Sequence, residues 1–209
     1  MMTARLAPAR RLLALGLGAA ILILGASLAD GWAFAHLSLP TVYEPGWGRL
    51  LRIVGYLPFW LLAGAAFYLS TSAPAGRRHA ILLMAAPTLS GALSELLKLL
   101  VRRERPGLTA GTYVFRSFTD RPFSTAGLGM PSGDAVVAFA ACAILARLWP
   151  RARGIWYGLA VGCALARVLS HAHFLSDVTV AALAGWAVAD LLWRHHALPP
   201  DSSSPSTSM

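Results

Sequence analysis

Six apolar runs, each close to the length needed to cross a bilayer, divide this chain and constrain what it can fold into. A transmembrane helix needs about 20 mainly apolar residues. Runs near that length lie at 12–28, 51–70, 80–101, 135–149, 154–170 and 174–193. The fold expected is therefore all-α, a six-span transmembrane helical bundle. The fourth run reaches spanning length only if its helix begins near Ser132. Pro106, Pro131 and Pro150 stand where helices should stop or start, and Trp32, Trp47, Trp149 and Trp193 are placed as interfacial anchors.

Composition agrees with a bilayer environment: 56% of the 209 residues are hydrophobic and only 13% charged. The formal charge of +9 could suggest nucleic acid, but the cations fall in short clusters between apolar runs. Membrane orientation and anionic head groups account for that distribution better, so membrane lipids are expected partners and nucleic acid is not. Cys142 and Cys163 both lie inside apolar runs, where they read as small packing residues rather than disulfide or metal ligands. The first run competes with a cleaved signal peptide, since Arg5, Arg10 and Arg11 precede it and Ala33-Phe34-Ala35 resembles a cleavage site. Its length exceeds the usual 7–15-residue signal core, which favours a retained span. Residues 1–198 then form one membrane domain, and the Ser-, Thr- and Pro-rich stretch 199–209 reads as a disordered tail.

With six spans, the polar clusters of the chain share one membrane face. The 80–101 run ends at a first cluster, Lys98 to Pro106, and the 135–149 run begins at a second, Pro131 to Asp134. The 154–170 run ends near Arg167 and the last run starts around His173. Arg77, Arg78, Arg147, Arg151, Arg153 and Arg194 fall on the opposite, almost purely basic face. The positive-inside rule then places both termini in the cytoplasm and the clusters outside, periplasmic in a Gram-negative cell. Gly158 and Gly162 form a GxxxG pair, read as a close-packing face.

Each cluster has a chemistry and a plainer alternative. Lys98 and Arg105, seven residues apart, would project from one helix face if the helix persisted. Pro106 disfavours helix at Arg105 and should turn the chain out. With Arg102 and Arg103 these cations could equally be membrane-edge anchors, and Glu95 could simply pair with Lys98. Pro131-Ser132-Gly133 reads as the opening turn of a helix. Free backbone N–H groups and the helix dipole bind anions there, Ser132 adds a hydroxyl, and Gly133 lets a ligand approach. His173 and Asp177 stand at i and i+4, so a carboxylate can fix the imidazole tautomer and leave the other nitrogen as nucleophile or base. Arg167 offers a planar fork for phosphate oxygens. His171, two residues from His173, would face elsewhere on a continuous helix and is given no catalytic role.

Taken jointly, Lys-x6-Arg-Pro, then Pro-Ser-Gly, then Arg-x5-His-x3-Asp resembles the type 2 phosphatidic acid phosphatase superfamily. The resemblance covers Lys98 to Asp177, with Ala166 where a serine usually leads the third motif. It implies an integral-membrane lipid phosphatase that hydrolyses a lipid phosphomonoester or diphosphate, such as phosphatidic acid or undecaprenyl diphosphate. By that resemblance Lys98, Arg105, Ser132, Gly133 and Arg167 bind phosphate, His173 attacks phosphorus, Asp177 orients it, and neither cofactor nor metal is needed. A bacterial inner-membrane location follows the same resemblance. Transfer to an acceptor lipid such as lipid A is the related alternative, and a pseudoenzyme that only binds lipid phosphate is the alternative of another class. Nothing in the residues speaks to oligomeric state.

The second motif of that family ends in histidine, the general acid for the departing oxygen, and this chain has Asp134. Free aspartic acid ionises near pH 4, so an aspartate donates a proton only where its surroundings keep it protonated. Three outcomes follow: a tuned acid, a weakened enzyme, or a substrate whose leaving group needs little protonation. The last favours a lipid diphosphate. The loop 106–130, with Arg116 and Arg121, is expected to cover the head-group pocket.

Overall fold

Prolines and glycines cut the apolar runs into seven helices in the computed structural model, which describes residues 3–197. The helices are α1 (Thr3–His36), α2 (Gly46–Val54), α3 (Leu57–Ser70), α4 (Pro74–Val101), α5 (Gly133–Leu148), α6 (Arg153–Leu169) and α7 (Leu175–Ala197). Among the described residues there are no strands, only two isolated backbone bridges, Arg103 with Phe115 and Glu104 with Leu128. The expected disordered tail, 199–209, lies outside the described residues.

The count of spans differs from the sequence expectation in two places. Four helices are long and apolar enough to cross a membrane, five if α2 and α3 together count as one. The chain is accordingly a membrane protein, but six spans are not confirmed. The second run breaks between α2 and α3, whose axes differ by 72°. Gly55 ends α2, Pro58 sits in the first turn of α3, and the Trp60 indole donates to the Val54 carbonyl at 2.8 Å, occupying an acceptor freed by the break. The fourth run forms α5, whose 16 residues extend only about 24 Å at 1.5 Å per residue. That falls short of a hydrocarbon core about 30 Å thick.

What α5 lacks in length it makes up in burial. Every residue from Ala135 to Ala146 except Phe139 is buried, and α4, α6 and α7 surround the helix. Six of those buried residues are alanines (135, 138, 140, 141, 143 and 146), so neighbouring backbones approach closely. Gly185 of α7 marks the tightest approach: a Cβ there would lie 2.4 Å from the Val136 carbonyl oxygen and 3.1 Å from the Ala140 nitrogen. Both obstacles are backbone. Gly185→Ala should therefore destabilise the bundle by about 2 kcal/mol or more, read as a fall in unfolding temperature in detergent. An unchanged transition would mean that α5 and α7 are not this close. The GxxxG pair is half used: Gly162 meets Leu51 of α2, while Gly158 has nothing within 4 Å.

Lipid-facing surface concentrates on α1, where Leu13, Leu17, Ile21, Leu24 and Leu28 are exposed. One side chain of that helix behaves oppositely: Asp30 is buried. The ends of α4 and α6 and the starts of α5 and α7 meet at one end of the bundle, as their polar motifs require. At the other end, Arg147 and Arg194 share Asp190 at 2.8 and 2.7 Å, so two cations of the basic face are paired.

Candidate active site

The helix carrying Lys98 does not continue to Arg105. Arg102 caps α4 in the left-handed conformation (φ 58°), and Arg105 is extended (φ −70°, ψ 141°), as a residue before proline should be. Lys98 and Arg105 therefore do not share a helix face. Lys98 is buried, and its Nζ donates to Glu95 Oε1 at 2.5 Å, the pairing that the sequence allowed. It also faces the start of α5: a Cβ on Gly133 would lie 3.4 Å from Lys98 Nζ and 3.8 Å from Glu95 Oε1. Ser132 is the N-cap of α5; its Oγ accepts from the Ala135 N–H at 3.5 Å, and its own N–H donates to the Asp177 carbonyl at 3.3 Å.

Two guanidinium groups approach this corner. Arg105 Nε donates to the Leu128 carbonyl at a long 3.4 Å. Burial, then the charge of Arg167, pull Arg105 below its ordinary arginine value. Two crowded cations of this kind gain from an anion placed between them. Arg167 Nη1 reaches Asp134 Oδ2 at 3.2 Å and the Tyr43 hydroxyl at 3.3 Å. Its Nε is buried and has no hydrogen-bond partner. An orphaned, charged donor costs free energy until an acceptor arrives.

His173 is buried on the turn before α7. Its Nδ1 lies 2.8 Å from the Gly129 carbonyl and 3.7 Å from Asp177 Oδ2. The nearer acceptor is thus a backbone carbonyl of the cover loop, with the carboxylate behind it. A carbonyl can only accept, so Nδ1 carries the hydrogen and the Nε2 lone pair is left free. Burial is the main cause holding the imidazole below its ordinary value, with Arg167 and Arg105 acting the same way and Asp177 opposing them. Gly129 is close-packed on the same carboxylate: a Cβ would stand 3.0 Å from Asp177 Oδ2 and would press on it.

Behind His173 lies a buried network that the motif spacing did not reveal. Arg103 Nη2 donates to Asp177 Oδ1 and to Ser176 Oγ, the latter at 2.7 Å, while Nη1 lies 3.9 Å from Asp30 Oδ2. Asp177 Oδ2 accepts from the Phe174 N–H at 2.8 Å. Asp30 accepts from the Ser176 N–H at 2.8 Å, from the Ser176 hydroxyl, and from the Tyr113 hydroxyl at 2.6 Å. The signal for Asp30 in the sequence is a lone carboxylate just past the apolar run 12–28, which the longer helix α1 carries along to His36 and which needs a partner.

The remaining expectations resolve as follows. Arg102 and Arg103 are both buried rather than membrane-edge anchors. Arg116 pairs with Glu104 at 3.1 Å, and Arg121 pairs with Asp120 at 3.2 Å on the exposed side of the loop. His171, in a left-handed conformation (φ 54°), stacks on Phe34 with ring centroids 4.3 Å apart.

Cations, a helix N-terminus and a histidine with one free nitrogen thus gather at one end of a helical bundle, an arrangement suited to an anion. The family model of the PAP2 superfamily matches residues 79–198, more than half the chain, and the chain belongs to that superfamily. Its members are in general phosphoesterases, so phosphatase- or phosphotransferase-type chemistry on lipid phosphate is the activity class that membership supports. No curated protein sequence matches the chain.

Proposed function

We propose that the chain is a lipid phosphatase whose phosphate pocket is formed by Lys98, Arg105, Ser132, Gly133 and Arg167, with His173 as nucleophile and Asp177 behind it. The observation that carries this reading is the tautomer of His173: Nδ1 is engaged by the Gly129 carbonyl and the free Nε2 belongs to a residue beside Arg105 and the unpartnered Nε of Arg167. In the first step the Nε2 lone pair forms a bond to phosphorus as the bond from phosphorus to the leaving oxygen breaks. In the second, water attacks phosphorus, the N–P bond breaks, and His173 regains its lone pair while water loses a proton to solvent. The cations stabilise the equatorial oxygens throughout.

Asp134 supports a choice among leaving groups. Its Oδ2 lies 3.2 Å from Arg167 Nη1, so the side chain that stands where the family has its histidine donor is engaged as an acceptor of the guanidinium. A substrate that leaves as a phosphate anion needs no such donor, so the reading favours a lipid diphosphate over a monoester with an alkoxide leaving group. By the positive-inside rule, the N-terminal Arg10 and the Arg147–Arg153 group lie in the cytoplasm and the pocket outside, at a bacterial inner membrane.

Phosphate release from a lipid panel in EDTA tests these points together. Release should resist the chelator and be at least about tenfold faster from undecaprenyl diphosphate than from phosphatidic acid. Asp134→His should narrow that gap by raising the monoester rate. Equal wild-type rates on both lipids would refute the leaving-group argument. Product appearing on an added acceptor lipid, with little free phosphate, would instead identify a phosphotransferase.

A further inference from the structure

Asp30 is the one carboxylate that reaches the site region from α1, and it lies outside the segment 79–198 that matches the family. It is 2% exposed, and its partners are Ser176, Tyr113 and, more distantly, Arg103. Arg103 therefore stands between two buried carboxylates, in direct contact with Asp177 and 3.9 Å from Asp30. Two carboxylates and one guanidinium leave the cluster with one net negative charge. That charge sits behind an imidazole that, on the phosphohistidine reading on which this inference rests, becomes cationic when Nε2 bonds to phosphorus.

We infer that Asp30 is a positioning residue for His173: it offsets the charge of Arg103, so that Asp177 remains an uncompensated carboxylate behind the nucleophile. Without Asp30, Arg103 would neutralise Asp177 and the developing imidazolium would face a cluster of zero net charge. Asp30 also holds the first turn of α7 through the Ser176 N–H and hydroxyl, and it ties Tyr113 of the cover loop to α1. Burial, then the hydrogen bond to Asp30, raises Tyr113 above its ordinary phenol value, so the hydroxyl keeps its proton and donates a hydrogen bond to Asp30.

The test varies the charge of the cluster and reads the pH dependence of phosphohistidine formation in single turnovers on a lipid diphosphate. Other charged groups near His173 stay the same in every variant: Asp177 on α7, Arg167 on α6, Arg105 on the loop, Asp134 on α5, and Lys98 with Glu95 on α4. Substrate ionisation is also common to all. Asp30→Asn, nearly isosteric, sets the cluster to zero. Its acid limb should move down by about half a unit to one unit, because removing a nearby negative charge makes the imidazole harder to protonate. Its kcat should fall about tenfold with KM little changed, since the lost stabilisation appears only in the transition state.

Asp30→Asn/Arg103→Gln restores one net negative charge and should return the limb to its wild-type position. A merely structural role predicts that the double variant is worse than the single. Arg103→Gln lowers the net charge to minus two and should move the limb upward, which carries the test with opposite sign if Asp30→Asn does not fold. A limb that is unmoved in the folded single variants, or still displaced in the double variant, overturns the inference. Activity surviving in His173→Ala would instead overturn the phosphohistidine reading, so the two failures are distinguishable.

Discussion

Replacing His173 by alanine is expected to lower lipid-phosphate turnover by roughly 10⁴-fold or more, the usual scale for loss of a nucleophile that works within a set of fixed partners. The expectation rests on geometry more than on residue type. Nδ1 is held at 2.8 Å by the Gly129 carbonyl, so no other tautomer is served and Nε2 is the nitrogen left with a free lone pair. Burial keeps the imidazole below its ordinary value, so the ring is neutral at pH 7 and becomes protonated only as pH falls further. Activity should therefore persist to lower pH than an exposed histidine near 6.5 would permit, then drop as Nε2 acquires a proton. Phosphate release in detergent, with thermal unfolding as the control for folding, measures both effects. Turnover within tenfold of wild type in a folded His173→Ala protein would remove histidine from the mechanism.

Arg102→Ala is expected to loosen the cover loop and cost about 3 kcal/mol. One buried guanidinium donates to four backbone carbonyls: Arg116 at 3.1 Å, Pro122 at 3.2 Å, Ser117 at 2.8 Å and Asp120 at 2.6 Å. It also lies under the Phe118 ring, 5.3 Å from the centroid. Charge-assisted hydrogen bonds contribute about 1.5–3 kcal/mol each, and water can replace part of that for a loop at the surface. Trypsin should then cut after Arg116, which Ser117 follows, in the variant and not in wild type, with activity lost in parallel. Arg102→Gly, which relieves the left-handed backbone (φ 58°), should fail to restore the loop, because the clamp and not the strain is decisive. Equal resistance of Arg102→Ala and wild type to trypsin would assign the loop's order elsewhere.

The helical class and the meeting of four helix ends were legible because hydrophobic length and proline placement report them directly. The span count was less legible, since a run of apolar residues looks alike whether lipid or protein surrounds it. In α5 the difference is carried by size: its buried alanines pack against neighbouring helices, whereas the leucines of α1 face outward. The break at Gly55 was invisible for another reason. A Cβ there would lie 2.7 Å from Asp134 Cβ and 2.9 Å from Cys163 Sγ, a close approach set by distant residues. Within the site, motif spacing pointed to Lys98, Arg105, Gly133, Arg167 and His173 together, and these stand at one end of the bundle. Arg102 and Arg103 could not be separated from membrane-edge arginines, because their acceptors are carbonyls and carboxylates supplied by folding.

The placement of Asp30 also bears on how such a domain can be rearranged. A chimera carrying residues 79–198 behind a foreign first helix would inherit every motif residue yet leave Ser176 and Tyr113 without their shared acceptor and Arg103 without its second neighbouring carboxylate. On the inference drawn for Asp30, the first helix is a part of the site rather than an exchangeable membrane anchor, and grafts should succeed when an acidic residue arrives at the depth of Asp30.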